Sequence, residues 1–281
     1  MIDLHLHTTA SDGRLTPSAL VARAATAGLS IIAVTDHDTT AGLAEAAEAA
    51  ARHGIRLVNG IEITAVERGR DVHVLGYFVD PETATLVAFL GAQRADRLRR
   101  LTGMVDRLRD LGLPLDADAL VKDAAQRSGR TIGRPQIADA LVAAGHAASR
   151  REAFDTLLGE GRPAFVPRIG ATVAEVAAII RAAGGVASLA HPGLTKVDEA
   201  IPQFVAAGLP AIEVWHGDHD EATADRYRAL AMRLGVGMSG GSDYHADHSH
   251  HSAPLGVVTL PPAAFADLES RAASTAAGSS Q

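Results

Sequence analysis

The sequence contains no cysteine. That absence excludes disulfides, thiolate metal sites, iron–sulfur clusters and cysteine nucleophiles, and it fits the cytoplasm. No apolar run reaches the roughly 18 residues that a membrane-spanning helix needs, and the mean hydropathy is only +0.09. The opening residues Met1 to His7 lack a basic stretch followed by an apolar one, so no secretory signal is expected. Positive charge is not in excess either: 26 Lys and Arg face 33 Asp and Glu, for a net charge of −7. A protein that coats long nucleic acids would carry the opposite balance, while short or terminal nucleic-acid substrates stay open. No Walker-type phosphate loop occurs.

What is present is an ordinary globular composition, 47% hydrophobic and 21% charged, in 281 residues. That length allows one large domain or one domain carrying an insertion. The chain begins with alternating β-rich and helical runs. Strands are expected at Ile2–Leu6, Ser30–Val34, Ile55–Ile63 and Asp71–Val79. Between them Thr16 and Pro17 open a helix that Gly28 ends, and Ala41–Arg52 forms another that stops at Gly54. From Glu82 to Glu160 no convincing strand occurs; helices are expected at Leu86–Leu111, Ala117–Gln126, Pro135–Ala144 and Arg150–Leu158. Alternation then resumes, with helices at Thr172–Ala183, Val197–Ala207 and Glu221–Leu234. The matching strands are Gly185–Ala190, Ala211–Trp215, Val236–Ser239 and Gly256–Leu260. Past Pro262 the Ala- and Ser-rich sequence reads as a frayed helix and tail.

Roughly seven or eight strands alternating with helices suggest an α/β barrel of parallel strands, although a doubly wound sheet alternates the same way. The expected division is a barrel from 1–80 and 165–262, a helical insertion at 81–164 that forms part of the substrate site, and a tail at 263–281.

Thirteen histidines stand out, and their placement carries the functional signal. His5 and His7 are two apart on the first strand and so share a face. Asp12 lies in the next loop, and Asp36-His37-Asp38 follows the second strand directly. Glu62 closes the third expected strand, His73 lies early in the fourth, His191 follows Gly185–Ala190, and Asp243 and His245 follow Val236–Ser239. One such residue after a strand is usually a turn former; recurrence after strand upon strand points to metal ligation at one barrel mouth. Imidazole and carboxylate without thiolate suit Mn²⁺, Zn²⁺ or Fe²⁺. The set is too large for one ion and fits two or three, which makes phosphate-ester hydrolysis the first reaction class to consider. His53 and His146 sit at helix ends, and His248, His250 and His251 read as a solvated loop.

Together, His5-Leu6-His7 with Asp12, Thr35-Asp36-His37-Asp38, Gly60-Ile61-Glu62, His73, Ala190-His191-Pro192 and Gly241-Ser242-Asp243-Tyr244-His245 resemble the PHP (polymerase and histidinol phosphatase) family. The likeness runs from Ile2 to about Leu260 and is nearest to stand-alone bacterial phosphoesterases of nucleoside 3′,5′-bisphosphates, relatives of which trim short RNAs from the 5′ end. It implies a distorted (β/α)7 TIM-like barrel with an inserted all-helical subdomain. It also implies three metal positions: His5, His7, Glu62 and Asp243; Glu62 bridging to His73 and His191; and Asp12, His37 and His245. Asp12 stands where some relatives have His, a harder ligand set that favours Mn²⁺ over Zn²⁺. Asp36 is expected to orient His37 or a neighbouring ligand.

By the same resemblance the attacking group is a metal-bound hydroxide, and Arg134, before a helix, is a phosphate receptor. Arg162, Arg94 and Arg97 are further substrate candidates, and Gln136 replaces a His common in the family. His216 is a candidate to bind substrate or donate a proton to the leaving oxygen, and His219 is left unassigned. The expected substrate is a small nucleotide or a short RNA, with no membrane and no obligate protein partner. Competing expectations are a 5′→3′ exoribonuclease, a histidinol phosphatase and a non-enzymatic module of the kind found in polymerases.

Overall fold

Among the described residues, which are 1–116, 119–120, 122, 133–246 and 253–278 of this computed structural model, seven strands form one sheet in sequence order. Strand β1 (Ile2–Leu6) is buried along its whole length, as a barrel stave must be when helices cover it outside and side chains fill it inside. It pairs in parallel with β2 (Ile31–Val34), and β2 with the start of β3 (Arg56–Glu67). The crossovers are α1 (Pro17–Thr26), whose cap Thr16 Oγ1 accepts from Ala19 N at 3.2 Å, and α2 (Leu43–His53), stopped by Gly54 at φ 66°.

The barrel departs from the expected all-parallel order at β4 (Arg70–Tyr77), which runs antiparallel to β3 and to β5 (Val186–Leu189). Arg68 and Gly69 both have positive φ, 51° and 81°, so two residues reverse the chain where a helix would otherwise cross over. Hence β3 is longer than expected and Glu62 stands inside it rather than near its end, while His73 lies in the first half of β4. Parallel pairing resumes through β6 (Ala211–His216) and β7 (Gly237–Gly241).

The segment after β7 closes the barrel, because His7 N donates to Tyr244 O at 3.0 Å. A side chain at Gly241 would collide with the His5 backbone nitrogen, so glycine is what lets β7 approach β1 beside His5. No strand forms at Gly256–Leu260: the chain turns at Gly256 (φ 83°), and Leu260 gives β1 one bond, to Ile2 O at 2.9 Å.

The helical block comprises α3 (Ala84–Asp110), α4 (Arg134–Ala143) and α5 (Arg150–Ala153), which continues as a π-helical turn over Phe154–Leu158. Leu101, Met104, Leu108, Ile137, Leu141 and Leu158 give it an apolar core of its own. The helix expected at Ala117–Gln126 lies largely outside the described residues, as do His248, His250 and His251. The next helix, α6 (Val173–Ala182), opens with a Thr172–Glu175 capping box. After β5 come α7 (Pro192–Thr195), a 3₁₀ turn at Asp198–Ala200 and α8 (Ile201–Ala206). The one helix expected at Val197–Ala207 is split there because Pro202 has no N–H to continue the earlier turn. Between β6 and β7 runs α9 (Glu221–Leu234).

Past Pro262, where a frayed helix and tail were expected, a long helix, α10 (Pro262–Gly278), forms. Its Phe265, Leu268 and Ala272 recur on one face and bury against Ile2 and Leu4 of β1. Among the described residues no helix is long and apolar enough to cross a membrane.

Candidate metal centre

The nine residues singled out in the sequence meet in one cluster at a barrel mouth. Glu62 is its hub. Its Oε2 lies 3.2 Å from His5 Nε2, 3.1 Å from His7 Nε2 and 3.3 Å from His37 Nδ1. Its Oε1 lies 2.8 Å from His73 Nδ1 and 3.1 Å from His191 Nε2. Asp243 Oδ1 faces the Nε2 atoms of His5 and His7 at 3.2 and 3.1 Å. Asp12 faces His245 Nε2 at 3.2 Å and His37 Nε2 at 3.7 Å. Four sets have donor atoms within 4.8 Å of one another: His5, His7, Glu62 and Asp243; His7, Asp12, His37 and His245; His37, Glu62 and His73; and, deeper behind these, His5, Glu213 and His216. The first is the expected grouping. The second gains His7, the third gains His37, and His191 joins the third through Glu62.

The donors fit divalent cations. His5 Nδ1–H donates to Glu213 Oε1 at 2.9 Å and His245 Nδ1–H to Asp243 O at 2.8 Å, so both rings aim Nε2 into the cluster. Both ring nitrogens of His7 and Nδ1 of His73 and His191 are buried without a hydrogen bond among the described residues. Burial alone would push His7 down, but Asp243 and Glu62 outweigh it and raise the ring to about 10. Burial likewise opposes charge on Glu62, yet His37, His73 and His5 hold its carboxyl well below the usual range. Buried carboxylate oxygens and imidazole nitrogens converging on one space, and able to hold protons there only in place of a metal, are what a divalent cation would satisfy. Asp38, His191 and Asp243 all adopt positive φ (51°, 27° and 52°), a local strain that the surrounding bonds sustain.

Glu213 went unnoticed in the sequence. It is fully buried on β6 and accepts from His5 Nδ1 and from His191 N, the latter at 2.7 Å. A lone carboxylate in the apolar run Ala211–Trp215 was the available signal. Asp36 accepts from Thr8 N at 2.8 Å and from Thr8 Oγ1 and Ser11 Oγ at 2.6 Å each, so it fixes the loop that carries Asp12. Residues 237–241 do read Gly-x-Ser-x-Gly, but Ser239 is buried inside β7 with its Oγ 2.7 Å from Ser188 Oγ, unlike an exposed nucleophile. His216, at 2% exposure, packs against His5 and His191. His219 Nδ1–H donates to Val214 O at 2.9 Å, and its Nε2 accepts from Gly193 N at 3.2 Å, which gives it a local structural role.

Beside the cluster opens a cleft of about 150 Å³, shared by Asp12, His37 and His73 with Arg97, Arg100, Arg134 and Arg168. Asp38 Oδ2 accepts from Arg97 Nε at 2.6 Å and from Arg168 NH1 at 3.2 Å. Burial would raise Asp38, but Arg97 and Arg168 hold it at about 2. Asp71 takes Arg134 NH2 at 3.2 Å and lies 3.8 Å from Arg168 and 4.0 Å from Arg100. Burial pushes Arg100 down to about 10. Phe154 and Phe165 each lie 5.8 Å from the Arg134 guanidinium and stiffen it. Four guanidinium groups against three carboxylates, Asp12, Asp38 and Asp71, leave one surplus positive charge for an anion.

Of the four arginines expected from the sequence to meet substrate, Arg134 and Arg97 line the cleft and two do not. Arg162 is exposed and Arg94 does not line the cleft; the buried cation between Asp38 and Asp71 is Arg168, which the sequence reading passed over. Gln136 caps α4, accepting from Gly133 N at 2.8 Å.

The PHP domain family model matches residues 3–157. Over 255 residues the chain is 38% identical to a 3′,5′-nucleoside bisphosphate phosphatase of Chromobacterium violaceum, a match that covers 87% of each chain. It is 35% identical over 251 residues to a 5′-3′ exoribonuclease of Haemophilus influenzae, covering 86% of this chain and 89% of that one. A solved Bifidobacterium adolescentis protein assigned to the metal-dependent phosphoesterases superposes with a TM-score of 0.86, at 36% identity and 96% coverage of both chains.

Proposed function

The chain belongs to the PHP domain family, and from that membership we propose that it removes the 3′-phosphate of nucleoside 3′,5′-bisphosphates. Two or three divalent ions, Mn²⁺ foremost, would be held by His5, His7, Asp12, His37, Glu62, His73, His191, Asp243 and His245. Bound there, they would polarise the phosphoryl oxygens and acidify a water for attack.

The chain's own residues do the rest. Glu213 and the Asp243 carbonyl lock His5 and His245 with Nε2 inward. Arg134, Arg97, Arg100 and Arg168 offer guanidinium forks to a second phosphate, so binding energy from the remote 5′ group orients the 3′ ester over the cluster. The observation that carries this reading is the shared lining: one cleft joins Asp12, His37 and His73 to those arginines. A substrate with two phosphates matches it better than a simple monoester.

The same receptor would read a 5′-terminal phosphate on short RNA, and the 35% identity to an exoribonuclease favours that second activity. A small cytoplasmic substrate, without membrane or obligate partner, completes the proposal. Product identity tests it. From adenosine 3′,5′-bisphosphate the account expects 5′-AMP and phosphate, whereas 3′-AMP would show the opposite binding sense and refute it. Release of mononucleotides from 5′-phosphorylated RNA would establish the second activity.

A further inference from the structure

We infer that His216 is a fixed hydrogen-bond donor that positions the Asp243 carboxylate, and is neither a metal ligand nor the acid that protonates the leaving oxygen. The inference rests on the metal-centre reading above and concerns how one ligand of that centre is held.

Asp218 N donates to His216 Nδ1 at 3.0 Å. An amide N–H can only donate, so Nδ1 is bare and the proton of the neutral ring sits on Nε2. In His5 and His245, by contrast, it is Nδ1 that donates to an oxygen, while Nε2 faces the carboxylates of Glu62 and Asp12 respectively. A protonated Nε2 cannot ligate a cation. An imidazolium acid would carry protons on both nitrogens and lose the Asp218 bond, and a neutral donor would have to leave an imidazolate behind.

Position agrees. Nε2 is buried without a hydrogen bond among the described residues and faces Asp243 Oδ2 at 3.4 Å, a gap that a small carboxylate rotation closes. The two oxygens of Asp243 thereby divide their roles: Oδ1 meets Nε2 of His5 and His7, and Oδ2 meets His216. His216 is also absent from the lining of the cleft, where Asp12, His37 and His73 stand instead. A leaving oxygen arriving through the cleft meets those groups first.

The test begins with ¹⁵N-histidine NMR of the metal-stripped wild-type protein. His216 is expected with bare Nδ1 and protonated Nε2. Competition for Mn²⁺ against a chelator then compares variants. His216→Ala should bind Mn²⁺ roughly 10- to 100-fold more weakly, and His216→Gln, which keeps an amide donor but cannot titrate, within about threefold of wild type. A protonated Nδ1 on His216, or His216→Ala holding Mn²⁺ as tightly as wild type, overturns the assignment. So does a His216→Gln enzyme that is fully loaded yet has lost turnover, since that would mean proton transfer. Failure of the wild type to hydrolyse bisphosphates would instead refute the proposed function, and leave the tautomer and Mn²⁺ results standing.

Discussion

Replacing Arg134 with Ala should separate substrates that carry a remote phosphate from those that do not. The Arg134 side chain is 27% exposed and shares Asp71 with Arg168 and Arg100, so the full Coulomb attraction does not count. At 4 Å and an effective dielectric of 20 the gross term is about 4 kcal/mol. Competition from Asp71 and partial solvation bring it into the range of about 1.5–3 kcal/mol expected for hydrogen bonds to charged groups. At about 1.4 kcal/mol per decade, kcat/KM for adenosine 3′,5′-bisphosphate should fall roughly 10- to 150-fold. For adenosine 3′-phosphate, which lacks the 5′ group, it should change less than about threefold. Steady-state kinetics on both substrates form a cycle between enzyme and ligand. Melting should barely move, because a half-exposed pair is worth about 1 kcal/mol or less. Equal losses on the two substrates would refute the role given to Arg134.

Other consequences follow from the same geometry. Asp38→Asn removes the buried charge that pins Arg97 and Arg168 and should cost about 3 kcal/mol at neutral pH, read by urea denaturation. Because folded Asp38 sits at about 2 against 3.8 unfolded, its ionisation stabilises fully above about pH 4 and is lost as pH falls towards 2. The gap between wild type and variant should therefore narrow over that interval, and a constant gap would contradict the pairing. Glu213→Gln places an amide N–H₂ against either His5 Nδ1–H or His191 N–H, and should weaken Mn²⁺ binding by roughly 10- to 100-fold in chelator competition. Unchanged affinity would show that these histidines need no orientation from β6.

The ligand cluster was legible because metal chemistry leaves unusual residues at regular places. His5 and His7 mark one face of a strand, and the acidic and imidazole groups recur after successive strands whatever the exact topology. What the sequence hid was geometry that depends on partners far along the chain. Arg162 and Arg168 look alike as isolated arginines beside a proline, and only folding shows that Arg168 lies buried between Asp38 and Asp71 while Arg162 faces solvent. The reversed β4 depended on two residues, Arg68 and Gly69, whose positive φ turns the chain back. The C-terminal helix was masked by its Ala and Ser content, although Phe265, Leu268 and Ala272 are spaced for one apolar face. Adjacency in sequence leaves open whether Asp36 serves His37 or a neighbouring ligand; its carboxylate holds Thr8 and Ser11, in the loop that carries Asp12.

The most direct test of the central claim is phosphate release from adenosine 3′,5′-bisphosphate by enzyme stripped with a chelator and reloaded with Mn²⁺, beside 5′-AMP and histidinol phosphate. The account predicts no release from the stripped protein, recovery with Mn²⁺, and strong preference for the bisphosphate. Recovery with equal rates on all three substrates would contradict the arginine receptor, and Mn²⁺-independent release would contradict the metal centre itself.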